Sequence, residues 1–324
     1  MKTIGRRTAL AVTAGAALAP QARAEGAFPD RPVRVIVPAA AGGPTDVVAR
    51  MLQPQLQGIL GQPVVVENKA GATGAIGTAT VADAKPDGYT ILLAPSTNAL
   101  IPALYGKTLS YDPANAFTGI AYVASVPLIV VVPMSGAKTL PELLERMRKE
   151  PDKYSYASSG NGGIIHLAGF LLVEKSGGKA LHVPYRGSAP GMIDTIAGRH
   201  AFQMDTLGSS KGFIDGGKAR VLAVAADKRL PQLPDVPTVE EVTSFKFSIN
   251  TWYVAQAPAA TPKPAINKLN AAFNEALKKP EVVKRMTELA IEPIQSTPAE
   301  AKKFFDDQMA FWDPIVKESG AKPE

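Results

Sequence analysis

The sequence predicts an α/β protein of two lobes, with parallel-rich sheets flanked by helices and a cleft between the lobes. Three observations carry this. Short apolar runs alternate with helical runs in a βαβαβ rhythm, the pattern of a sheet covered on both faces by helices. The rhythm breaks at a long extended run, residues 120–133, and then restarts. A second strand-like run, residues 250–258, precedes a helical tail and supplies a return crossing, so that two α/β units share two connections.

The elements follow in order. "VRVIVP" (33–38) is a β-branched run that reads as a strand buried on both faces. "AAAGGPTD" leads into a helix through "VVARMLQPQLQGIL". "PVVVEN" (63–68) is the second strand, and "KAGATGAIG" is a glycine-rich turn that opens another helix. "YTILLAP" (89–95) is the third strand. The run over 120–133 exceeds an average strand and is long enough to pass between lobes. After it, Thr139 caps a helix with Pro141 in its first turn. "YSYAS", a helix from Gly163, "LHVPY", a helix around "APGMIDTIAG", "AFQMD" and a strand over 220–226 make the second unit. The tail is helical: Thr261-Pro262 starts one amphipathic helix through "AINKLNAAFNEALKK", and Thr297 with Glu300 forms a capping box before the last. The expected boundaries are 25–122 plus 250–324 for lobe 1 and 123–249 for lobe 2.

Residues 1–24 read as a secretory signal. Lys2, Arg6 and Arg7 precede a short apolar run, and Ala22-Arg23-Ala24 fits a cleavage site after Ala24. The Arg6-Arg7 pair leaves the export route open. The net charge of +6 shrinks without this segment, which holds four basic residues and no acidic one; 31 basic and 29 acidic groups remain, or +2. That balance carries no footprint for nucleic acid or an anionic membrane. The chain has no cysteine, which excludes disulfides and a lipid anchor on cysteine.

Three loops share one design, a strand end followed by glycines and small hydroxyls and then a helix. They are residues 39–46, 71–74 and 158–163. Such loops lie at the carboxyl ends of strands, where open α/β sheets bind ligands. Their backbone N–H groups and the helix dipole suit an anion. Gly160-Asn161-Gly162 nearly imitates a dinucleotide fingerprint, but Ile165 stands where the third glycine belongs, and no P-loop lysine follows. Gly208-Ser209-Ser210-Lys211-Gly212 matches a hydrolase elbow, yet the three histidines, 166, 182 and 200, all precede Ser210. No acidic or histidine cluster has metal-ligand spacing. The expectation is a site with no catalytic group, metal or cofactor. His166, three residues into a helix apolar nearly all round, is either a hydrogen-bonded structural group or a border of the cleft. Tyr185 lies at a strand's carboxyl end, and Asp205 ends another, as a ligand contact or a helix N-cap.

Six segments in one order, "FPDRPVRVIVPAAAGGPTDVVARML", "LGQPVVVENKAGATGAIG", "KPDGYTILLAP", "YASSGNGGIIHLAG", "HVPYRGSAPGMIDTIAG" and "LPDVPTVEE", resemble the tripartite tricarboxylate transporter receptors, also called the Bug family. The resemblance spans residues 28–318. It implies a type II periplasmic binding protein of the Venus flytrap kind. Such a receptor binds a small carboxylate and delivers it to a two-component membrane permease, working as a periplasmic monomer. Carried over, it selects Ala41, Gly42, Gly43, Thr45 and Asp46 from the first loop. From the second lobe it selects Ser158, Ser159, Gly160, Asn161 and Gly162, with Asp205 across the cleft and Ser96 and Thr97 completing the wall. Two other readings are a sensor for a signalling partner and a hydrolase in the same cleft. The first differs from the receptor only in its partner; the second needs a base beside a nucleophile.

Overall fold

The computed structural model describes residues 28–151 and 153–323, so the secretory-signal reading lies outside the described residues. The first sheet is built as the sequence leads one to expect. β1 (Val33–Val37), β2 (Val64–Asn68) and β3 (Thr90–Pro95) are parallel, with Val35 opposite both Val66 and Ile91. α1 (Pro44–Leu60) and α2 (Ala75–Ala82) connect them. Proline at the first position of α1 loses no hydrogen bond, and Gly61 ends the helix in the left-handed region with its N–H on the Gln57 carbonyl. A short helix, α3 (Ile101–Tyr105), follows β3 and leads to β4 (Phe117–Pro133).

β4 has 17 residues and begins at Phe117, three residues before the run read from sequence. Its first part pairs antiparallel with β9, Tyr122 facing Val254. Its last part pairs antiparallel with two strands of the second sheet, so that Leu128 faces both Thr206 and Ala225. Between β4 and β9 the second unit follows in order: α4 (Leu140–Lys149), β5 (Ser155–Ser158), α5 (Ile164–Lys175), β6 (Leu181–Pro184), α6 (Ser188–Ile196), β7 (Phe202–Thr206), α7 (Leu207–Asp215), β8 (Ala219–Ala225) and α8 (Val239–Val242). β5 lies between β6 and β7, parallel to both. β9 (Asn250–Pro258) then returns between β3 and β4. The sheets are continuous, in the order β2-β1-β3-β9-β4-β7-β5-β6, with β8 also on β4.

The tail is α9 (Lys263–Ala276), α10 (Pro280–Glu288), β10 (Glu292–Pro293) and α11 (Pro298–Glu318). The sequence reading ran one helix through Lys279; the structure ends it at Ala276 and starts another at Pro280, whose missing N–H suits a first turn and not an interior. Helices cover both faces of both sheets. α1 and α9 pack Val48, Leu52, Leu269 and Phe273 on one face of the first sheet. On the other face α11 packs Ala301 and Phe305 beside Trp252. Gly119 of β4 permits this approach, because a Cβ there would lie 2.5 Å from the Pro298 carbonyl oxygen. The last turns of α11 leave that cluster. Trp312, Ile315 and Val316 join Leu128, Val130, Leu167 and Phe202 of the second sheet's core.

Candidate functional site

The loop before α1 is fastened from within. Gly42 is left-handed (φ +79°), and Gly43 is extended (φ −74°, ψ 168°) as the N-cap. The Gly42 N–H donates to Asp46 Oδ2 at 2.8 Å. Arg50, one turn on, donates through Nε to Asp46 Oδ2 at 2.9 Å and through Nη2 to Asn68 Oδ1 at 3.1 Å. Burial works to raise the Asp46 pKa, but the Arg50 and Gly42 donors outweigh it and hold the carboxyl below its ordinary value. Thr45 and Asp46 are buried, whereas Ala41 and Gly42 are exposed at the open helix end.

The loop before α5 repeats that geometry in the other sheet. Gly162 is left-handed (φ +67°), and Gly163 is the extended N-cap (φ −83°, ψ 165°). The Gly162 N–H donates to His166 Nδ1 at 3.0 Å, at the helical position Asp46 holds in α1. His166 stacks on His182, ring centroids 3.6 Å apart and 8° between planes. His182 Nε2 in turn lies 2.6 Å from Ser158 Oγ, which also donates to the Gly160 carbonyl at 2.9 Å. Burial pushes the His166 pKa down to about 4; burial and the neighbouring His166 push His182 down to about 3. Both rings are therefore neutral near pH 7. Ser158 and His166 are buried and shape the loop, while Ser159, Gly160 and Asn161 are partly exposed. Asn161 donates to the Lys322 carbonyl at 3.3 Å.

The remaining expected residues separate. Ser96 is buried, its hydroxyl 2.7 Å from that of Thr251, so it ties β3 to β9; Thr97 beside it is partly exposed. The Tyr185 hydroxyl donates to Asp194 at 2.6 Å and lies 2.7 Å from His200 Nε2, which engages it with the far end of α6. Asp205 is 1% exposed. It accepts from Ser188 Oγ at 2.5 Å, Ser210 Oγ at 2.9 Å, Gln203 Nε2 at 3.2 Å and the Thr206 N–H at 2.8 Å. Burial raises its pKa against those donors. Asp205 is also not the N-cap of α7; Thr206 is, accepting from the Ser209 N–H. The same network accounts for Ser210, whose buried hydroxyl donates to Asp205. Among the described residues no group of His, Asp or Glu is placed to hold a metal.

A cavity of about 310 Å³ lies between the ends of α1 and α7, lined by Gly42, Pro44, Thr206 and Ser209 and by Val126 and Tyr253 of the crossing strands; no residue of the 158–163 loop lines it. Thr206 is absent from the residues expected from sequence and Ser209 enters there only within the elbow pattern; the signal for both is a threonine ending a strand three residues before a serine. A larger cavity of about 580 Å³ flanks the crossing strands beside Asp227, Lys228 and Arg229, but no glycine-loop residue lines it. The smaller one has the better claim, because helix N-termini open onto it.

Residues 48–321 match the model of the tripartite tricarboxylate transporter family receptor. The chain belongs to this family. The receptor is 38% identical to the periplasmic binding protein BugD, whose structure superposes with a TM-score of 0.78 over 91% of this chain and 99% of that one. It is 30% identical to an R. palustris protein solved with adipate, at a TM-score of 0.81 over 92% and 100% of the two chains. MatC from Rhodopseudomonas palustris, solved with bound malate, is 32% identical, at a TM-score of 0.77 over 89% and 100%. The fold is thus the two-lobed periplasmic binding protein fold, and the family's role is solute binding. No described helix is long and apolar enough to cross a membrane.

Proposed function

We propose that this receptor works in the periplasm, after removal of residues 1–24, where it closes its two lobes on a small carboxylate and presents the closed form to a two-component permease. It does so without catalysis. The observation that carries this reading is the matched pair of glycine loops, one per sheet, each leading into a helix N-terminus; the first lines the 310 Å³ cavity together with the N-terminus of α7, and closure of the lobes brings the second toward the ligand. Backbone N–H groups and helix dipoles bind a carboxylate without an arginine. The acids bound by the R. palustris relatives, adipate and malate, point to the same ligand class. Lobe 1 is taken as 25–122 with 250–324 and lobe 2 as 123–249; support comes from β4, whose first part pairs with β9 in the first sheet and whose last part pairs with β7 and β8 in the second. A ligand that binds only the closed arrangement shifts the population toward it, and the permease reads that shift.

The test is thermal stability of residues 25–324 with malate, adipate, citrate, aspartate and nicotinate, and with ATP as control. At a hundredfold its dissociation constant a ligand adds about 2.7 kcal/mol. A rise in melting temperature with one of the acids and none with ATP is the expected result. A flat response to every acid refutes the carboxylate assignment.

A further inference from the structure

The two loops differ at one point that their shared geometry makes conspicuous. In α1 the acceptor for the left-handed glycine's N–H is a carboxylate, Asp46, neutralised by Arg50 four residues on. In α5 the acceptor in the same place is His166, and the residue four on is Phe170. A carboxylate at 166 would face no cation from its own helix. It would also put a negative charge at the helix end offered to an anion. An N–H can only donate, so Nδ1 of His166 is bare and its single proton is on Nε2.

We propose that His166 is a positioning residue of the second loop, a neutral acceptor that fixes the Gly162 N–H and so keeps the loop in shape without repelling the bound carboxylate. The stack on His182 holds the ring in place, and His182 passes the constraint to Ser158 at the start of the loop. The surroundings favour the uncharged form. Besides His182 on β6, the titratable group facing the pair is Tyr156 on β5, whose hydroxyl donates to the His166 carbonyl at 3.4 Å. β7 presents Phe202 and Met204 to this core, and α11 presents Trp312, Ile315 and Val316. The repulsion part of this inference rests on the carboxylate reading; the positioning part does not.

The experiment has a ligand-free arm and a binding arm, run on wild type, His166→Asn, His166→Asp and His166→Leu, each checked for folding by circular dichroism. In the first arm, imidazole ¹⁵N shifts should report a bare Nδ1 on His166 from pH 5 to 8. Amide exchange at Gly162 should stay slow in wild type, Asn and Asp, and speed up about tenfold or more in Leu, which lacks an acceptor. In the second arm, calorimetry with malate and adipate should find Asn close to wild type, whereas Asp, which keeps the loop but adds charge, loses about tenfold to a hundredfold. A His166 that titrates near the free-imidazole value, or unchanged Gly162 exchange in Leu, overturns the positioning role. An Asp variant that binds like wild type overturns the charge argument. If wild type binds neither acid, the binding arm uses whichever acid of the melting panel raises the melting temperature; if none does, the carboxylate reading falls with the repulsion argument, and the exchange arm still decides positioning.

Discussion

Replacing Asp205 with alanine separates a structural carboxylate from a ligand contact. The change strands four donors at once: the Ser188 and Ser210 hydroxyls, the Gln203 amide and the Thr206 N–H. The hydroxyls can rotate toward other acceptors, and the Gln203 amide still has Ser188 Oγ at 2.8 Å. The Thr206 N–H and the space left by the carboxylate have no such remedy. A buried donor without a partner costs about 1–3 kcal/mol. Removing a buried charge gives some of that back, because the charged form of Asp205 is itself costly to bury. With more than one donor stranded, the expectation is a net loss of about 3 kcal/mol. In urea, with a slope of about 3 kcal/mol per M, the unfolding midpoint falls by about 1 M. Malate affinity, measured where the variant is still folded, changes only a few-fold. A midpoint that stays put while affinity collapses would refute this argument and return Asp205 to the cleft wall.

Two further outcomes follow from the same geometry. Stability should fall between pH 6.5 and about 4: the unfolded chain protonates its imidazoles near 6.5, whereas folded His166 stays neutral down to about 4, so the unfolded state binds more protons as pH drops. His166 alone contributes about 1.4 kcal/mol per pH unit in that window. Asp46 and Glu67, with lowered values, lose their contributions only below the ordinary carboxylate range, and Asp205, with a raised one, acts in the opposite sense. Urea midpoints at pH 7, 6 and 5 check this, and a flat profile in wild type contradicts it. Gly162→Ala should destabilise the loop by about 1–2 kcal/mol, since φ is +67° and the new Cβ lies 2.9 Å from Leu104 Cδ2. Pairing it with Leu104→Ala relieves the contact but not the backbone strain, so a double variant that regains full loop stability would show the strain to be negligible.

What the sequence made legible was local. Val33–Val37, the Thr139 cap and the Thr297–Glu300 box depend on neighbours a few residues away, and the structure has each of them in place. The glycine loops were visible too, because left-handed turns before a helix require glycine at 42 and 162. The surroundings of Asp205 were hidden for the opposite reason. A lone carboxylate at a strand end looks available, and its partners come from β7, α6 and α7, which sequence spacing cannot bring together. Tyr185 is similar, claimed by Asp194 and by His200 fifteen residues on. The equivalence of Asp46 and His166 needed dihedral angles, although "GGPTD" and "GGIIH" share the spacing.

α11 has an optical consequence. The chain has two tryptophans, and both indole N–H groups donate to the side-chain oxygen of Gln308, Trp252 at 3.0 Å and Trp312 at 3.2 Å. Trp252 sits in the core of the first sheet and Trp312 in that of the second. All of the protein's tryptophan emission therefore originates around one amide on the seam between the two cores. A rotation that parts those cores must stretch one of the two bonds or bend the helix, and either changes the polarity around an indole. Closure should be readable from the unlabelled protein's own fluorescence, with Gln308→Leu as the variant in which that signal loses its cause.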